Sequence, residues 1–570
     1  VVVGGLVAGV ALVAVASGVG ASGAQLAAIF VLPPLGFAAA ALAPGSSQAV
    51  GWLVGLAAFG PLALVDPEEI SLFLLGRDVP FWTIVATLAS LLAALLAGLV
   101  YGLTTLTRVV APHPGAASVG FRPRRGLVAG SLAAVVLLVS FAGYAFVGRP
   151  GFHGERLFVV MKDQASLAGL PTTTGVGPGR EARVAAVYRR LVEHADATQA
   201  DLRGELDRWN VSYKPYYLVN GVQVDGGPAL RTLLAQRDDV DRVLLDPVVR
   251  PLPEQVPTER GSLTSPGTDH WNVDMVGAPA AWARGVTGSG IVVGSSDSGV
   301  DGAHPALAAN FRGGPDSWFD PWNGTTTPTD RNGHGTHTLG TAVGGEGIGV
   351  APGAQWVGCV NLARNLGSPS HYLDCLQFML APFPQGGDPF TDGRPGRAPH
   401  VLTNSWGCPV VEGCDPASLR PAIDALAAAG VAVVVAAGNS GPRCGSIQDP
   451  PAPYASAITV AAVTRSRTVA EFSSRGDGDA GKPDLAAPGE SVVSAMPGGT
   501  YQAQDGTSMA TPHVAGLIAL LWSQEPALVG DLAATRAQLA DAARPAQIAQ
   551  ADCGGTAAMV GAGIAEFPAP

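Results

Sequence analysis

The chain has 570 residues, a formal net charge of −11 and 47% hydrophobic residues. That length holds several domains of ordinary size, and an acidic balance without a basic cluster gives no footing for nucleic acid, so no nucleic-acid partner is expected. Charge is unevenly spread, with no Asp, Glu, Lys or Arg before Asp66 and further uncharged stretches over 79–107 and 126–148. Each is long enough for a membrane span, which takes about 20 apolar residues. Breaks near 21–23 and 43–48 divide the first block, giving five expected helices near 2–19, 24–42, 49–65, 81–106 and 127–147. A signal peptide would show one short apolar region, whereas this stretch has several.

Arg108, Arg122, Arg124 and Arg125 flank the loop before the last expected helix, and the loop before that carries Asp66, Glu68, Glu69 and Asp78 against Arg77. The positive-inside rule puts the Arg-rich loop in the cytoplasm, so everything after about Arg149 is expected outside the cell. Residues 1–148 therefore read as a multi-pass domain of the cell membrane, all-α and in contact with lipid. Val1 in place of Met leaves a fragment, a processed form and an alternative start codon open.

A different pattern follows. Arg156 to Asp163 has the composition of a strand, and 182–209 places Val184, Val187, Tyr188, Leu191, Ala195, Leu202, Leu206 and Trp209 on one helical stripe. Strands are expected at 211–219 and 221–224, a helix at 229–236 and a strand at 240–246. That order, βαββαβ, is the split ferredoxin-like pattern.

Three islands then supply the parts of a nucleophilic triad. The apolar run Gly290 to Gly294 leads to Asp297-Ser-Gly-Val-Asp, Asn332-Gly leads to His334-Gly-Thr-His, and Gly506-Thr leads to Ser508-Met-Ala-Thr-Pro-His. A serine hydroxyl is a poor nucleophile until an imidazole takes its proton, and the imidazole needs a carboxylate to hold its tautomer. A helix is expected over 511–522, starting near the serine. Asn439 ends the apolar run from Val431, and Asn404-Ser405-Trp406-Gly407 could pair with an extended peptide. His334 and His337 are three apart, but without a helical His-Glu-x-x-His no metal site is expected.

The order Asp, His, Ser, which differs from that of α/β-hydrolases and chymotrypsin-like enzymes, together with the two further islands, resembles the subtilisin family of serine peptidases over roughly 265–560. The resemblance implies a three-layer α/β/α fold with a mostly parallel sheet, and a serine endopeptidase that needs no cofactor and takes a protein or peptide as substrate. It assigns Ser508 as nucleophile, His334 as general base and Asp297 as its orienting carboxylate, with Asn439 as oxyanion donor. Ser405, Trp406, Gly407 and Gly438 would line the substrate site. Tyr217-Leu-Val-Asn-Gly-Val and Asp241 to Pro247 resemble the inhibitory prosegment of secreted members, so 155–255 would act as an intramolecular inhibitor and 248–261 as its tail, cut on maturation. Rival readings are a silent peptide clamp, and a transporter or sensor with an accessory peptidase.

All six cysteines fall in the expected peptidase portion, at Cys359, Cys375, Cys408, Cys414, Cys444 and Cys553. They allow 15 pairings, among which the sequence does not choose; proximity favours Cys408 with Cys414 and Cys359 with Cys375, leaving Cys444 and Cys553. Asp477, Asp479 and Asp484 are a candidate structural calcium cluster, a feature often stabilising in this family, although charged loop residues commonly bind nothing. Two loops, 313–329 and 384–397, read as insertions that could border the cleft or lie on the solvated surface. Asp449 lies in the loop that forms the primary pocket floor in the family. Reaching that floor it would favour Arg or Lys before the cut, while a surface or structural role is the plainer reading.

Overall fold

Leu157 to Met161 offers no polar position for a solvent face, and it forms the buried part of strand β1 (Arg156–Met161). The computed structural model describes residues 156–226, 228–246, 261–362, 366–478, 481–548 and 551–568. The expected spans within 1–148 lie outside them. Among the described residues no helix is long and apolar enough to cross a membrane.

Helix α1 (Pro178–Arg208) follows β1, and then come β2 (Tyr213–Tyr216), β3 (Gly221–Asp225), α2 (Pro228–Leu234) and β4 (Val240–Leu245). The four strands form one sheet in the order β2-β3-β1-β4. Proline at the first position of α1 costs no helical hydrogen bond, because that N–H has no partner within a helix. The helix therefore begins four residues before the expected start. Most of the apolar stripe is buried, but Trp209 lies past the last turn and is 44% exposed.

In the peptidase portion the sheet strands are β5 (Val292–Asp297), β6 (Trp318–Phe319), β7 (Gln355–Val360), β8 (Val401–Asn404), β9 (Ala432–Ala436), β10 (Ile458–Val463) and β11 (Leu485–Pro488). Their order is β11-β10-β9-β8-β5-β7-β6, with every neighbouring pair parallel. Alternate residues of a strand enter two separate cores, which is what an apolar strand covered on both faces must do. Val401 and Val434 join the core that holds helices α3 (His334–Val343) and α6 (Thr507–Gln524). Leu402, Val433 and Val435 join the one that holds α4 (Pro369–Leu380) and α5 (Arg420–Ala428). From β5 the chain builds outward in both directions, so the carboxyl ends of β5 and β8 meet where the strand order switches, the usual place for a site in an open α/β sheet.

Three disulfides join Cys359 to Cys375, Cys408 to Cys414 and Cys444 to Cys553, the pairing that proximity favoured. The first ties β7 to α4, and the third closes a loop of 109 residues, worth about 4–5 kcal/mol in the chain-entropy description. By contact, the described residues fall into two compact units. One holds 156–157, 206–213, 224–226 and 228–237, and the other holds 158–205, 214–223 and the described residues from 238 onward.

Candidate active site

Asp297 is the last residue of β5 and 1% exposed. Its Oδ1 lies 2.7 Å from His334 Nδ1 and accepts from the Ser298 N–H at 2.7 Å, while Oδ2 accepts from Thr338 Oγ1 at 3.3 Å. A carboxylate held at both oxygens cannot swing, so the imidazole it meets is fixed in plane and tautomer. His334 opens α3 directly after Gly333, whose φ of 104° suits glycine. Gly335 is required by space, since a Cβ there would lie 2.1 Å from the Gly299 carbonyl.

Asp330 holds this corner together, and the sequence reading passed it by. Its Oδ1 accepts from Ser298 Oγ and the N–H groups of Asn332 and Gly333, and its Oδ2 from the N–H and hydroxyl of Thr336. A buried carboxylate at a helix N-terminus satisfies donors that have no partner within the helix. The signal was available as an Asp three residues before the glycine that starts a helical stretch.

Ser508 is the second residue of α6, which begins four residues before its expected start. Pro512 sits inside α6. Proline has no N–H, so the Ser508 carbonyl loses its helical donor. Ser405 replaces it, with Oγ donating to Ser508 O at 2.8 Å, and Ser508 Oγ donates back to Ser405 O at 3.0 Å. The end of β8 and the start of α6 are thereby locked together. A Cβ on Gly516 would meet the Ala342 carbonyl at 2.9 Å. Helices α6 and α3 therefore touch, and their starts share one end of the sheet because His334 meets Asp297 and Ser508 meets Ser405, at the carboxyl ends of the parallel neighbours β5 and β8.

Asn439 follows β9. Its Oδ1 accepts from both the N–H and the hydroxyl of Thr507, each at 2.9 Å. That hydroxyl accepts in turn from the Gly438 N–H at 3.2 Å, and Gly438 has a φ of 100°. With Oδ1 committed to donors, the Asn439 amide must direct Nδ2 the other way, and a Cβ on Gly506 would lie 3.6 Å from it.

Trp406 donates Nε1 to the Ser296 carbonyl at 2.8 Å and stacks on Tyr372 with ring centroids 4.0 Å apart. Tyr372 donates to Glu412, a carboxyl only 4% exposed that the sequence reading did not single out. The Cys408 N–H donates to Pro450 O at 2.7 Å, which brings Asp449 beside Gly407. Asp449 is exposed there rather than enclosed on a pocket floor. Partial desolvation nonetheless moves its carboxyl upward.

Burial pushes Glu412 up to about 7, opposed by hydrogen bonds from Tyr372 and the Gly367 N–H and reinforced by the Asp449 charge. A folded pKa above the unfolded value of about 4.5 gives stability that is full at lower pH and lost as pH rises through 7. Glu412→Gln removes this dependence. The variant should gain roughly 2–3 kcal/mol relative to the parent between pH 5 and pH 9. Urea midpoints of both proteins at the two pH values measure it, and a constant difference between them would refute it.

The calcium expectation does not fit Asp484. Its Oδ1 takes Arg536 at 2.6 Å and its Oδ2 takes Lys482 at 2.6 Å, so two cations already neutralise one carboxylate. Asp479 lies outside the described residues. His337 Nε2 meets the carbonyls of Val492 and Gln502, each at 3.0 Å, so that nitrogen is engaged by main chain.

The parallel sheet with helices on both faces defines an α/β fold. Residues 288–563 match the Subtilase family. Bacillopeptidase F of Bacillus subtilis is 35% identical over 369 residues, which are 59% of this chain and 25% of that protein. M-protease of Shouchella clausii is 38% identical over 51% of this chain and 68% of its own length. Subtilisin Savinase of Lederbergia lenta is 40% identical over 45% of this chain and 85% of its own length. The chain thus spans about a quarter of Bacillopeptidase F and most of the shorter relatives. It belongs to the subtilase family of serine peptidases.

Proposed function

We propose that the protein is an extracytoplasmic serine endopeptidase tethered to the cell membrane through 1–148 and made as a self-inhibited precursor. The hydrogen bond between Asp297 and His334 at the end of β5 is the observation that carries the catalytic reading. In that reading Ser508 Oγ attacks the scissile carbonyl and His334 takes its proton. The carbonyl π electrons move to oxygen, where Asn439 Nδ2 and the Ser508 N–H meet the negative charge. His334 then protonates the leaving amine as the C–N bond breaks, and water repeats the sequence to free the enzyme. The segment Ser405 to Gly407, just past the end of β8, would pair with substrate main chain. The test is hydrolysis of a peptide library by the purified full chain, with loss of turnover after a serine-directed phosphonylating reagent.

One feature supports the prosegment reading: the element order βαββαβ with sheet order β2-β3-β1-β4, which matches the split ferredoxin-like pattern. The membrane reading rests on the uncharged stretches before Arg149. Sedimentation of the full chain with membranes, and its loss after removal of 1–148, tests it.

An exposed carboxylate beside Gly407 would give the pocket edge a negative charge. A preference for Arg or Lys before the cut is expected, and Asp449→Asn should lower the ratio of basic to apolar cleavage by roughly threefold to fivefold, the scale of a solvated ion pair. Cleavage-site mass spectrometry on the library reads this ratio. An unchanged ratio, or a wild-type preference for large apolar residues, would contradict it.

A further inference from the structure

Two carboxyls stand at the edge of the proposed substrate site. Asp449 is exposed, and a Cβ on Gly407 would lie 3.0 Å from its own. Glu412 is buried and has no part in the mechanism above. It sits in the short loop closed by Cys408 and Cys414, immediately after the segment that would pair with substrate. Its N–H donates to Pro409 O at 2.9 Å and Gly413 turns the chain with a φ of 94°, so the closed loop holds the side chain inward.

Contacts run from Glu412 back to the pairing segment. Tyr372 donates to Glu412, and the Tyr372 ring lies 4.0 Å from that of Trp406, the neighbour of Gly407 in the chain. Asp449 is near enough for its charge to act on both Tyr372 and Glu412. The ionisable groups that act on Glu412 are thus Tyr372 from α4 and Asp449 from the loop before β10, while the Gly367 N–H supplies a second donor. Asp415, just past the loop, is already paired with Arg242 of β4 at 2.5 Å. Neither Tyr372 nor Asp449 is a cation, so a negative charge on Glu412 stays uncompensated and adds to that of Asp449.

The two acids ionise in sequence. Desolvation alone raises Asp449, whereas deeper burial and the Asp449 charge together hold Glu412 at about 7. Asp449 is therefore charged first, and the second charge arrives only as pH passes neutrality. A substrate Arg or Lys keeps its own charge across that range and is favoured by each negative charge near its pocket, while an apolar side chain is indifferent to both.

We propose that Glu412 is a second specificity determinant, a buried acid whose ionisation strengthens the preference for Arg or Lys before the cut. This deepens the pocket-edge reading of Asp449 and rests on it.

The test compares two peptides that differ only in Arg or Leu before the cut, hydrolysed by the purified full chain from about pH 5.5 to about pH 8.5, a range that spans neutrality. Titration of His334 changes both rates alike, so the ratio of their kcat/KM values isolates the pocket. The Arg-to-Leu ratio of the wild type is expected to rise with a midpoint near 7. The rise should be about threefold to tenfold, the scale of one more charge in partly buried surroundings. Glu412→Gln should give a flat ratio. Tyr372→Phe keeps the ring against Trp406 but removes a donor to the carboxylate, so its rise should come at higher pH. Should Glu412→Gln not fold, the midpoint in Tyr372→Phe decides, and an unmoved midpoint counts against Glu412. A ratio that is flat in the wild type, or that rises equally in Glu412→Gln, overturns the inference. Asp449→Asn separates the two readings: it should lower the ratio at every pH and move the remaining rise downward, because its charge no longer opposes ionisation of Glu412. A ratio unchanged by Asp449→Asn, with the rise still lost in Glu412→Gln, contradicts the Asp449 reading and leaves Glu412 as the acid that sets the preference.

Discussion

Ser508→Ala is expected to lower kcat by about 10⁶-fold while leaving the fold in place, the size that loss of the nucleophile has in subtilisin itself. The change removes one oxygen at the N-terminus of α6. The Ser405 hydroxyl still donates to the Ser508 carbonyl, because that bond uses main chain. Position and nucleophilicity are thus separable here. If maturation is autocatalytic, the variant should also remain uncut between 248 and 261. Turnover within tenfold of wild type, measured on a peptide substrate with folding checked by circular dichroism, would remove Ser508 from the mechanism. Normal self-processing of the purified variant would refute only the autocatalytic step.

Asn439→Ala is expected to cost about 10²- to 10³-fold in kcat with KM little changed, a magnitude established on subtilisin's own oxyanion asparagine. The contact forms mainly as charge develops on the carbonyl oxygen, so the ground state loses little. Here the substitution also removes the acceptor for the Thr507 N–H and hydroxyl. A separate variant distinguishes the two roles: Thr507→Val deletes the hydroxyl that fixes the amide while leaving Nδ2 in place. It should cost less than Asn439→Ala, and kcat and KM for both variants measure the split. A loss confined to KM in Asn439→Ala would contradict an oxyanion role.

The peptidase portion was legible because its chemistry demands particular residues among small neighbours. Asp297, His334, Asn439 and Ser508 stand at strand ends and helix starts, where the close approach at Gly335 leaves no room for a side chain and the φ of Gly333 suits glycine. Buried parallel strands such as Ala432–Ala436 announce themselves as continuous apolar runs. The supporting contacts were not legible in the same way. Ser405 completes α6 only because Pro512 lacks an N–H, across 103 residues of sequence. Arg180 finds its carbonyls 218 and 219 residues away. Glu412 carries no local signal in the sequence, and only folding places Tyr372 against it. Periodicity and spacing encode local elements, whereas these partners are set by topology. The insertion at 384–397 shows the same limit, since its composition is that of a surface loop and its contact with α1 arises only in the folded chain.

The most direct measurement is tandem mass spectrometry of the protein after reaction with a fluorophosphonate. Such a reagent phosphonylates a serine only where an adjacent base activates it. A single adduct on Ser508, lost in His334→Ala and strongly slowed in Asp297→Asn, is the predicted result. A folded protein that gives no adduct, or carries it on another serine, would contradict the assignment of this site as the catalytic centre of a serine peptidase.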